Sequence, residues 1–320
     1  MTRRPAPGWW ASGAGLAAGL LLDRAVGDPR HGHPVAGFGR LAAATERALY
    51  GDARARGAVH AALLVGGTTA LGVLGERRAR RAAARVLVTA ASTWVVVGGT
   101  SLRREAAAMS RLIQADDVDG ARARLSHLCG RDASTLDADG LARATVESVA
   151  ENTSDAHVGP LVWGAAFGVP GLLGYRAVNT LDAMVGHRDD RYLRFGWASA
   201  RADDLVNLLP ARLAAALATA LAPAVSGRPS AAWRAWRRDA HRHPSPNAGR
   251  VEAAFAGALG RQLGGPVTYA GRVDVRPTLG DGPTPTPGDI ARAARLSASV
   301  TTAAGVLAVG TRLLIDRRAQ

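Results

Sequence analysis

The chain has 320 residues and a formal net charge of +14, and every one of its 40 basic residues is arginine. The absence of lysine excludes a lysine-bearing phosphate loop and any lysine Schiff base, and a single cysteine, Cys129, excludes an intrachain disulfide and a thiolate metal site. With only four Phe and four Tyr, no basic–aromatic stripe and no zinc spacing, the charge suits an anionic membrane surface or anionic substrates, not nucleic acid.

A mean hydropathy near zero averages Arg-rich loops with strongly apolar stretches. That mixture reads as an all-α, polytopic integral membrane protein with soluble helical loops. The apolar segments are 9–22, 57–75, 85–102, 158–175, 205–225 and 299–315. They predict about four to six membrane segments, some re-entrant, within a single domain over 1–320. Segments 103–157 and 226–298 read as soluble.

The first apolar run leads without a signal-peptide cleavage pattern into LLDRAVGDPRHGHPVAGFGR, residues 21–40. Here Asp23, Asp28 and His33 crowd around Pro29 and Pro34, whose rigid turns can aim side chains. His31 and His33 alternate, but two histidines without a third ligand are a weak metal signal. The spans near 57–75 and 85–102 flank a short basic loop, and 103–144 has helical periodicity.

Leu141 to Asn152 reads as a helix with Glu147 and Glu151 four apart, which stacks two carboxylates on one face. The chain holds six Glu and four Asn, and this helix, ending in Asn152 and followed by Thr153, Ser154 and Asp155, claims two of the first and one of the second. Oxygen ligands so concentrated before an apolar run exceed what packing requires. The run itself is broken by Gly168-Val169-Pro170-Gly171, which predicts a bent or re-entrant pair of short helices.

Residues 175–212 alternate oxygen pairs with guanidiniums. Asn179 and Asp182 lie three apart, Asp203 or Asp204 with Asn207 repeats the arrangement, and Arg176, Arg188, Arg191, Arg194 and Arg201 are interleaved. Carboxylates that hold a metal beside Arg forks that hold phosphate suit a magnesium-bound polyphosphate. Leu205 to Val225 either dips into the bilayer or crosses it. Trp233 and Trp236 among arginines suit a membrane interface. HPSPNAGRVEAAFAGALG reads as a Pro-rich turn, then a helix carrying Glu252, and 277–288 as a loop.

Five blocks, LLDRAVGDPRHGHPV, VESVAENTSD, YRAVNTLDAMVGHR, RFGWASARADDLVNLLPARL and SPNAGRVEAAFAGALG, stand in the order of the motifs of the CobD/CbiB family of cobalamin biosynthesis proteins, which the chain resembles over most of its length. It departs from the usual family text at Ala156-His157, where a Gly follows the ENTSD block, and at Arg250, where an aromatic is usual. The resemblance implies an adenosylcobinamide-phosphate synthase of the cell (inner, cytoplasmic) membrane, crossing it several times. Such an enzyme joins (R)-1-amino-2-propanol, or its O-phosphate, to the f-propionate carboxylate of adenosylcobyric acid in an amide ligation driven by ATP.

Amide formation needs an activated carboxylate, magnesium-ATP, and a base for the ammonium group. On that reading Glu147, Glu151 and Asp155 take metal or base duty, with Glu151, Asp155 and Asp182 as the metal ligands and Asn152 as an orienter. Asp182 and Asn179 complete the metal shell or hold corrin amides. Arg176, Arg188 and Arg201 face ATP or the aminopropanol phosphate. Asp204 and Asn207 bind substrate, Asp28 and His33 line the pocket, and Ser245 and Asn247 close it. The partners implied are these substrates, the lipid bilayer and other late corrinoid-assembly enzymes. The alternatives are a corrinoid-binding membrane transporter and a scaffold without ligase activity.

Overall fold

The computed structural model describes residues 8–29, 32–269 and 272–318. His31 lies outside the described residues. The chain groups into two compact units, each assembled from segments far apart in sequence. The sequence alone reads as one domain because the chain passes between the units within the long C-terminal helix, through a π-helical turn, or across breaks of one or two residues between helices, which leaves no linker to read.

The first unit takes residues 1–98, 159–207 and 304–320. It contains α1 (Ala11–Val26), α2 (Pro34–Leu49), α3 (Arg54–Arg78) and α4 (Ala82–Val96). Its most extensive helix–helix seam joins α1 to α4. A Cβ on Gly15 would stand 2.5 Å from the Thr89 Cβ, and one on Gly19 would stand 2.5 Å from the Thr93 Cβ. Two glycines four apart thus let the backbones approach closely, the small-residue packing that membrane helices favour. Thr93 donates its hydroxyl to the Thr89 carbonyl at 2.8 Å, which leaves a smooth α4 face.

The expected interruption of the 158–175 run is present. Gly168, at φ +69, ends one short helix, and Pro170 sits in the first turn of the next. The freed Val169 N–H donates to the Glu76 carboxylate of α3 at 3.0 Å.

The second unit takes residues 99–158 and 208–303. It holds α5 (Gly99–Gln114), α6 (Val118–Leu125) and α7 (Ala138–Asn152), and then a π-helical turn, Thr153–Val158. The bent pair of the first unit follows as α8 (Gly159–Phe167) and α9 (Val169–Val185), with α10 (Tyr192–Phe195) and α11 (Trp197–Val206) after them. The chain returns to the second unit with α12 (Leu208–Ala220), α13 (Pro229–Asp239) and α14 (Ala248–Leu259). Next comes an antiparallel hairpin, β1 (Leu263–Tyr269) with β2 (Arg272–Leu279), and last the long α15 (Pro287–Arg318). The described fold is all-α apart from this hairpin. Its second strand corrects the loop reading at 277–279, where Pro277 and the glycines that follow hide the strand.

Among the described residues, three helical stretches are long and apolar enough to cross a membrane: Arg54–Arg78, Ala82–Gln114 and Pro287–Arg318. The other apolar segments form shorter helices. At 13 residues α12 is only about 20 Å long, and its Pro210, Ala211, Ala214, Ala215 and Ala218 are buried within the second unit. The segment 205–225 therefore packs largely as a core element there, and α14 is its main neighbour. The 299–315 span is the C-terminal part of the longer α15.

Candidate functional site

The predicted site residues are divided between the two units. In the first unit, α9 and α11 lie side by side. Asn179 donates to Asp203 Oδ1 at 3.4 Å, and Arg176 reaches the Asn179 Oδ1 at 3.5 Å. Tyr175, buried beneath them, donates to Asn207 Oδ1 at 2.7 Å. Three-residue spacing on each helix turns these side chains toward the same seam. Burial, followed by repulsion from the Asp182 carboxylate, pushes the Asp203 carboxyl up to about 7. Asp204 turns the other way and pairs with Arg201 at 3.3 Å. The choice the sequence left open between Asp203 and Asp204 thus falls to Asp203 for the α9 seam.

Asp28 and His33 meet as expected, with Nε2 3.6 Å from the carboxylate. The Val35 N–H donates to His33 Nδ1 at 3.1 Å, which caps α2 and puts the ring proton on the nitrogen facing Asp28.

In the second unit, Glu147 is buried and fully engaged. Arg131 donates to its Oε2 at 2.6 Å, and the Gly264 N–H donates to its Oε1 at 2.7 Å. Both oxygens serve to lock α7 to the loop before it and to β1. Glu151, one turn on, is exposed to solvent. The protein packed around it nonetheless raises its carboxyl above the usual range, with Arg276 and Arg131 opposing. Glu252 on α14 is 2 % exposed. Burial, then the charges of Glu147 and Glu151, push Glu252 up to about 8. Facing Glu252 at 3.8 Å is His243 Nε2, whose Nδ1 accepts from the Ser245 N–H at 3.0 Å.

The remaining predicted residues in this unit are tied locally. Asn152 donates to the Ser148 carbonyl at 2.9 Å. Asp155 sits half-buried in the π-helical turn. Ser245 Oγ accepts from the N–H groups of Asn247 and Ala248 at 3.2 and 3.1 Å in the turn that leads into α14, with Asn247 buried beside it.

A divalent cation fits the hard oxygen donors of the α9–α11 seam. No group of three or more His, Cys, Asp or Glu side chains able to hold a metal occurs among the described residues. Magnesium, however, ordinarily takes one or two carboxylates and fills the rest of its shell with substrate phosphates and water. Asp182 and Asp203, two carboxylates close enough to repel, provide that minimum. Of the predicted metal ligands, Glu151 and Asp155 belong to the second unit and Asp182 to the first.

The sequence profile of the family described as CobD/Cbib protein matches residues 16–297. The chain is similar to the cobalamin biosynthesis protein CobD of Mycobacterium tuberculosis strain H37Rv, with 54% identity over 310 residues that cover 97% of this chain and 98% of that one. Its similarity to the CobD proteins of Rhodobacter capsulatus and Chromobacterium violaceum is 45% and 44% identity, over 92% and 88% of this chain and 96% and 90% of theirs. The chain belongs to the CobD/CbiB family. No solved structure matches it.

Within this CobD/CbiB chain, sequence reasoning passed over Arg131, Tyr175 and Arg276, and noted Glu252 without a role. Arg131 and Arg276 come from loop and hairpin positions with no motif around them, and one arginine among 40 carries no signal of its own. Glu252 offered one, as an acidic residue in an otherwise apolar helix. The family departure at His157 also has a place here: the ring is buried and bonds Thr301 Oγ1 through Nδ1 at 3.0 Å.

Proposed function

We propose that this protein acts in cobalamin biosynthesis as adenosylcobinamide-phosphate synthase, an integral enzyme of the cytoplasmic membrane. The observation that carries the reading is that relatives named as cobalamin biosynthesis proteins match it almost from end to end. The reaction joins the amine of 1-amino-2-propanol, or of its O-phosphate, to a propionate carboxylate of adenosylcobyric acid, with ATP activating the carboxylate.

The chemistry available to the side chains supports that assignment. Asp182 and Asp203 would hold the magnesium that neutralises the nucleotide phosphates during carboxylate activation. Asn179 and Tyr175–Asn207 fix the Asp203 carboxylate and the end of α11. Glu151, accessible and held above the ordinary carboxyl range, is the residue suited to take a proton from the attacking ammonium group. Glu147, with both oxygens bonded, keeps α7 in place.

Detergent-purified protein supplied with adenosylcobyric acid, magnesium-ATP and either amine should yield the corresponding adenosylcobinamide. Glu151→Gln should keep its fold and lose about 100-fold or more in turnover. Glu147→Gln should instead lower thermal stability, since removing one partner of a buried pair costs about 3–5 kcal/mol. Folded protein that binds the corrinoid yet forms no amide with either amine would defeat the ligase reading in favour of transport or scaffolding.

A further inference from the structure

The start of α3 forms one wall of a cavity of about 1020 Å³ in the first unit. Its other walls are the turn after α9, the short α10 and the first turns of α11. Close packing fixes the arrangement: a Cβ on Gly57 would overlap the Phe195 carbonyl, so α10 lies directly on α3. Four guanidiniums line the cavity, those of Arg54, Arg188, Arg194 and Arg201, and Asp204 is the single carboxylate among the lining residues.

Existing partners leave most of that charge available. Arg201 reaches Asp204 at 3.3 Å and Arg194 reaches Asp52 at 3.4 Å, both largely exposed pairs of little worth. Arg54 lies over the Trp197 ring with its guanidinium carbon 5.4 Å from the centroid. Arg188 is exposed and makes no ion pair among the described residues. Four like charges around one cavity repel, and an anion placed among them removes the repulsion. Guanidinium forks match phosphate oxygens two at a time. The volume suits one small molecule, and Trp197 offers a flat apolar face beside the cations.

We propose that this cavity is the organic-phosphate site of the protein, taking the phosphate of a nucleoside triphosphate or of a phosphorylated amino alcohol. The proposal rests on the ligase reading for its choice of ligands and extends it to Arg54, Arg194 and Trp197. Arg188 and Arg201 grip the phosphate oxygens, Arg54 and Arg194 add charge at the mouth, and Trp197 stacks on a base if the occupant is a nucleotide.

The test is calorimetric titration of the full chain in nanodiscs of zwitterionic lipid with ATP, with 1-amino-2-propanol O-phosphate and with adenosylcobyric acid. Arg188→Ala should weaken one phosphate ester by about tenfold or more and leave adenosylcobyric acid unaffected, and Arg188→Lys should recover part of the loss. Trp197→Ala should weaken ATP if the nucleotide is the occupant and spare the amino alcohol phosphate if that is the occupant. Unchanged affinity for both esters in Arg188→Ala and in Arg54→Ala would overturn the proposal. So would a cavity that binds neither ester in the zwitterionic discs, where no anionic headgroup competes for its arginines. Ligation that persists with unaltered KM values in these variants would remove the site and leave the ligase standing. Phosphate binding lost in the variants of a protein that never ligates would do the reverse.

Discussion

Asp203 carries the clearest conditional behaviour of any single side chain. Its carboxyl titrates near 7 in the folded protein, against about 3.9 in an unfolded chain. Between those values the folded state binds more protons, so without a cation the stability of the first unit falls as pH rises, and the penalty is complete above about 7. Cation binding needs the ionised form, so magnesium affinity should rise with pH through that same window. Titration of magnesium against a spectroscopic probe between pH 6 and 8 should show the rise, and Asp203→Asn should flatten it. An affinity that stays level with pH in the unaltered protein would take Asp203 out of the cation site. The sequence made the α9 and α11 oxygen pairs visible through their three-residue spacing. It left Asp203 and Asp204 equivalent, because adjacent residues on a helix differ only in which neighbour the 100° step turns them toward.

The seam between α1 and α4 shows how small residues set the position of whole helices. The sequence announced α1 by its apolar run, but the role of Gly15 and Gly19 becomes apparent only once Thr89 and Thr93 are opposite them. Gly19→Leu should force the two helices apart at an overpacking cost of about 1–3 kcal/mol and lower the unfolding midpoint in detergent by several degrees. Gly66 is the internal control, since a Cβ there meets nothing within 4 Å, and Gly66→Leu should leave the midpoint almost unmoved. Equal midpoints for the two variants would mean that the α1–α4 approach is not close. The broken α8–α9 run was legible because Gly168 and Pro170 are chemically unambiguous. The hairpin was not, because each of its strands contains a proline and the glycines at its ends read as loop.

At the scale of the molecule, composition announced a helical membrane protein, and three helical stretches of sufficient length and apolarity among the described residues bear it out. The number of apolar runs overstated the number of such helices, because an alanine-rich core helix like α12 and a lipid-facing one look alike in a hydropathy count. Protein made in cells should remain with the membrane pellet after washing in high salt and in alkaline carbonate. Release by carbonate would indicate that the arginine-rich surface, at net +14, merely adsorbs to anionic lipid. The division into two units was hidden for a related reason: α15 begins in one unit and ends in the other, and α7 passes through the π-helical turn into α8 without a linker.

The contact between Glu76 and Val169 has a consequence for how the chain is made. The acceptor sits at the end of α3, and the amide it caps lies 93 residues later. A ribosome therefore completes the carboxylate well before it reaches the break at Gly168. When the second half of the bent pair emerges, the acceptor for its Val169 amide has already been made. The order of synthesis and the direction of the cap agree. A chain permuted so that α3 is translated last should insert poorly even though every native contact remains available to it.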